Sequence, residues 1–118
     1  MSAQPIEQRR DCRATADNRL AVETAIEYLA LPASTLTPRP DAVHVTVVDV
    51  YALSEWMYKL GGDIPPAVSS GDGAVMVTLR TKTPERADGS TVDIRVHVVA
   101  VDGDDVLIDV RRGVPAHV

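Results

Sequence analysis

Polar and apolar residues alternate most cleanly over 91–101. Val92, Ile94, Val96, Val98 and Ala100 share one parity, and Thr91, Asp93, Arg95 and His97 the other. A period of two marks a strand with one face in a core and one in water, as antiparallel sheets have. Its far end, Val98-Val99-Ala100-Val101, is apolar on both parities, so a helix or a partner is expected over the second side there. The same pattern recurs at 74–82, with Val75, Val77 and Leu79 against Met76, Thr78 and Arg80. It appears again at 42–48, with Val43, Val45 and Val47 against His44, Thr46 and Val48. A last strand is expected at 106–111, with Val106, Ile108 and Val110 inward.

Two segments change to a period of 3.6. From Asp17 to Ala30 a helix is expected, capped by Thr15 or Asp17 and stopped at Leu31-Pro32. Ala21, Val22, Ala25, Ile26, Tyr28 and Leu29 fall in one arc, with Glu23 and Glu27 opposite. A second helix is expected at 50–60. Val50, Leu53, Trp56, Met57 and Leu60 share its inner arc, while Tyr51 and Tyr58 lie on the far side beside Glu55 and Lys59.

Between these elements, 32–41 holds three prolines and reads as a semi-rigid linker. The 61–73 stretch (GGDIPPAVSSGDG) reads as the main flexible loop. Asp88-Gly89 supplies a turn within 83–90, and Asp102-Gly103-Asp104-Asp105 supplies another. The fold class expected is α+β: two helices packed on a four-stranded, mostly antiparallel sheet, in the order α-β-α-β-β-β. Residues 15–113 form the single domain, 1–14 a flexible N-terminal arm and 114–118 a C-terminal tail.

Composition reinforces the sheet. Eighteen valines and no phenylalanine occur among 118 residues, and valine favours a pleated, half-buried surface. Aspartate and glutamate number 17 against 12 basic residues, for a net charge of −5. That balance argues against a nucleic-acid partner, which a basic face would serve. The single cysteine, Cys12, permits no internal disulfide, and no apolar run is long enough to span a membrane. A cytoplasmic location is the expectation.

No catalytic constellation emerges. Cys12 stands alone in the arm, and no serine sits in a nucleophile turn. No zinc spacing is present, and Gly61-Gly62 ends a helix where a phosphate cradle would begin one. No cofactor is implied. The sequence points to a small acidic binding module, not to an enzyme. Tyr51, Tyr58, Glu55 and Lys59 are the candidate contact residues for a protein partner or a second copy of the chain. The alternative is a small-molecule pocket, enzymatic or not, between the sheet and the 61–73 loop. It would use His44, His97 and the tyrosines, the two histidines lying across from one another if their strands are neighbours. A further alternative is an acidic inhibitor of a basic surface, using Asp102, Asp104, Asp105 and Asp109.

Overall fold

The computed structural model describes residues 5–66, 68–69 and 73–101. In order, the elements are α1 (Pro5–Leu29), β1 (Thr35–Pro38), β2 (Val43–Thr46), α2 (Val50–Leu60), β3 (Val68–Ser69), β4 (Ala74–Lys82) and β5 (Asp93–Val101). The strands lie in the order β1-β2-β5-β4-β3. Four strands of four to nine residues make the sheet, and two-residue β3 is added at one edge. Three neighbour pairs are antiparallel and one, β2 with β5, is parallel. The α+β expectation therefore holds. The strand expected at 106–111, the turn before it and the tail lie outside the described residues.

Both helices cover the same face of the sheet. Val22 from α1 and Leu53 and Trp56 from α2 share one core with Val43, Val45, Val77, Leu79, Ile94 and Val96. These are the inward parities of the alternating strands. Asp49 starts α2 by accepting the Ala52 N–H on its carboxylate (2.8 Å), satisfying one of the donors a helix leaves free at its N-terminus. Gly61 ends the helix at φ 74°, its N–H donating to the Met57 carbonyl (2.8 Å).

Side chains of α2 also fasten the end of α1. Trp56, fully buried, donates its indole N–H to the Pro32 carbonyl (2.6 Å). One turn further on, the Lys59 ammonium donates to the carbonyls of Leu29 (2.7 Å) and Ala30 (3.4 Å). A cation at these carbonyls complements the negative end of the helix dipole. The connection leaves α1 through Ala30 at φ 53°, and the Leu31 N–H returns to the Ile26 carbonyl (2.9 Å).

Three stretches depart from expectation. Helix α1 begins at Pro5, well inside the segment read as an arm, not at Asp17. Proline suits a first helical position, and 8–14 (QRRDCRA) contains neither glycine nor a β-branched residue to oppose continuation. Residues 32–41 are not simply a linker, because β1 lies within them and pairs with β2. An edge strand tolerates Pro38, since no ladder bond is needed on its outer side. The hairpin turn at Pro40-Asp41 is closed by Arg39 N–H to the Ala42 carbonyl (2.9 Å) and held to α1 by the Asn18 amide. Finally, the described parts of 61–73 run along the edge of β4: Asp63 pairs with Arg80 and Val68 with Met76. Gly62 fits there because a side chain would overlap the Arg80 carbonyl oxygen.

Ala30 holds a left-handed conformation that costs an L-residue on the order of 1 kcal/mol and costs glycine little. Ala30→Gly is expected to stabilise the fold by about 0.5 kcal/mol, after allowing for the extra freedom of glycine in the unfolded chain. Urea denaturation of both proteins measures the difference. A loss of stability would show that the Ala30 methyl makes contacts that outweigh the strain.

Candidate functional site on the open sheet face

The face of the sheet turned away from the helices carries the second parity of each strand. The pairing of β2 with β5 sets His44 opposite Arg95 and Thr46 opposite His97. The pairing of β5 with β4 sets Arg95 opposite Arg80, His97 opposite Thr78 and Val99 opposite Met76. Three rows result: His44–Arg95–Arg80, then Thr46–His97–Thr78, then Val99–Met76. The last is apolar, with Met76, Val99 and the next residue of that parity, Val101, all exposed. Among the described residues, no helix lies over them.

His44 and His97 meet diagonally between the first two rows. Their rings are nearly coplanar and meet edge to edge, 5.2 Å apart at the centroids and 5° from parallel. His44 Nδ1 lies 2.9 Å from His97 Nε2, and His97 Nδ1 lies 2.9 Å from Thr78 Oγ1. One proton serves each contact, so the line has a direction. Either the Thr78 hydroxyl donates to His97 and His97 to His44, or each donation runs the other way. Protonating both rings would place two donors and two positive charges against each other, so the bonded pair holds at most one extra proton. Burial, first, and then the charges of His44 and Arg95 hold the His97 pKa below its ordinary 6.5.

Row one concentrates positive charge. Arg80 and Arg95 stand directly opposite one another, an arrangement that is destabilising between like charges. Asp63 relieves Arg80, accepting from its Nε (3.1 Å) and from its Nη2 on one carboxylate oxygen. The Arg95 guanidinium makes no hydrogen bond or ion pair among the described residues. Lys82 and Asp93 face each other one row beyond, without an ion pair. The described residues contain no group of three or more His, Cys, Asp or Glu side chains placed to hold a metal ion.

The other candidates lie on the opposite side of the layer. Tyr51 and Tyr58 project from α2, 47% and 74% exposed. Tyr28 on α1 is 85% exposed, although helical spacing placed it in the arc of the buried Val22 and Ala25. Among the described residues the sheet thus separates the tyrosines from the histidines, against the expectation of one pocket using both. Lys59 is engaged with the end of α1 and lies 3.6 Å from the Glu55 carboxylate. The four aspartates of the acidic-inhibitor reading lie outside the described residues.

Sequence reasoning placed His44 and His97 but passed over Thr78, Arg80, Arg95 and Lys82. The alternation had already assigned Thr78, Arg80 and Arg95 to the polar parities. The missing piece was the strand order, which brings β2, β5 and β4 side by side. The chain matches no protein-family model, no curated protein and no solved structure. None of the helices among the described residues is long and apolar enough to cross a membrane.

The depressed pKa of His97 has a consequence for stability. The folded chain binds fewer protons at this ring than the unfolded chain does. Its unfavourable effect is absent above the unfolded value near 6.5 and grows as the pH falls through it, levelling once the folded ring also protonates. Urea unfolding of the wild type should therefore show stability decreasing from pH 8 to pH 5. His97→Gln should flatten that dependence, and an unchanged slope would mean that His97 does not titrate differently in the two states.

Proposed function

We propose that the chain is a non-catalytic binding module that receives an anionic ligand on the open face of its sheet. The observation that carries this reading is the cross-strand row His44–Arg95–Arg80 in a chain of net charge −5. A fold that sets two guanidiniums opposite each other and neutralises one of them bears an electrostatic cost. A bound anion would remove it. Charge-assisted hydrogen bonds from a guanidinium fork to a carboxylate or phosphate supply both affinity and orientation. Nucleic acid fits this surface poorly. The described part of the face has no phenylalanine, tyrosine or tryptophan ring on which a base could stack, and the rest of the chain repels a polyanion.

The test is a titration of the whole protein with oligoglutamate at low ionic strength, followed by backbone amide NMR. Shifts are expected on β2, β4 and β5 and not on α1 or α2. Arg95→Glu should abolish them while leaving spectral dispersion intact. Shifts scattered over both helices, or retained in Arg95→Glu, would count against the reading.

A second reading is a protein contact or homodimer through the outer side of α2. The exposure of Tyr51 and Tyr58 favours it, because tyrosines contribute strongly where they become buried at interfaces. On this reading the protein is a dimer by size-exclusion chromatography with light scattering, and Tyr51→Ala/Tyr58→Ala is a monomer. A wild-type monomer removes the dimer version.

A further inference from the structure

At the C-terminal end of β4 a cleft of about 390 Å³ wraps the edge of the sheet, between the end of α2 and the open face. Asp63, Arg80, Thr81, Lys82 and Arg95 provide its polar lining. We propose that this cleft is a binding site for a dianionic oxyanion, a phosphate ion or the phosphate group of a small monoester. The proposal rests on the anion-binding reading above and gives it a location and a ligand class.

Charge is the first argument. Three cations line the cleft against one carboxylate, and that carboxylate already belongs to Arg80. The Arg95 guanidinium and the Lys82 ammonium have no hydrogen-bond or ion-pair partner among the described residues. Two uncommitted cations match a dianion better than a monoanion.

Backbone geometry adds a third donor. The Arg80 N–H points outward from β4 to the Asp63 carbonyl (2.8 Å). Strand alternation aims the Lys82 N–H at the same edge, one step past that pairing. The site then offers a guanidinium fork from Arg95 and an ammonium and an amide from Lys82. These are the donor types that tetrahedral oxyanions take. Gly62 lines the same cleft, where its lack of a side chain keeps the chain close against Arg80 and Thr81.

The experiment is a titration of the full chain with inorganic phosphate at constant ionic strength, with acetate as the monoanionic control. Backbone amides and arginine Nε–H resonances are followed together. Saturable shifts are expected at Lys82 N–H and Arg95 Nε–H, with a dissociation constant on the order of 1 mM. Acetate should bind at least about tenfold more weakly. Arg95→Gln should weaken phosphate about tenfold, whereas Arg19→Gln on α1 should leave it unchanged. Arg95→Lys, which keeps the charge and loses the fork, should fall between wild type and Arg95→Gln. Shifts that never saturate, equal binding of acetate, or full affinity in Arg95→Gln would overturn the site. If oligoglutamate still shifts the open face while phosphate does not bind, the site fails and the broader reading stands. If neither ligand binds, both fail.

Discussion

The parallel pairing of β2 with β5 is the constraint on which the rest of the molecule depends. It joins the hairpin of β1 and β2 to the meander of β4 and β5. Without it the sheet would fall into the β1-β2 hairpin and a separate β5-β4-β3 unit, and an isolated two-stranded hairpin is at best marginally stable in water. A parallel neighbour requires a crossover, and the chain makes it through α2 and β4. The crossover lays α2 over the inward valines. The same pairing sets His44 beside His97 and Arg95 between His44 and Arg80. Core and candidate site are the two faces of one register.

Register couples them tightly. Side chains alternate along a strand, so a slip of one residue in β2 would turn Val43 and Val45 to solvent and His44 into the core. The apolar face makes that slip costly, and it thereby fixes the histidine pair and the arginine row. The open face needs no special device to hold its geometry.

Much of this was legible in the sequence. Alternation located β2, β4 and β5, and helical spacing divided Trp56 from Tyr51 and Tyr58. Asp88-Gly89 marked a turn in which Gly89 has φ 83°. What failed did so for identifiable reasons. Prolines concealed β1, because edge strands accept them where central strands do not. Polarity concealed the first turns of α1, because a helix without an apolar stripe has no periodicity to detect. The sites depended on strand order, which no local pattern encodes. Arg80 and Arg95 are unremarkable apart and informative only when opposed. The role of Lys59 was hidden similarly, since the carbonyls it holds lie about thirty residues back along the chain.

The two borders of the sheet bear on how copies of this chain can meet. At one border β1 has four residues and ends in proline; at the other, β3 has two, and Asp63 occupies a further stretch of β4. Short, interrupted borders offer an incoming chain little continuous template for hydrogen bonding. Among the described residues, self-assembly by strand addition is therefore poorly served at either end. Association falls to side-chain surfaces, which discriminate between partners by shape and charge where bare backbone cannot. For a sheet-rich, valine-laden sequence, borders this short are a guard against fibrillar stacking.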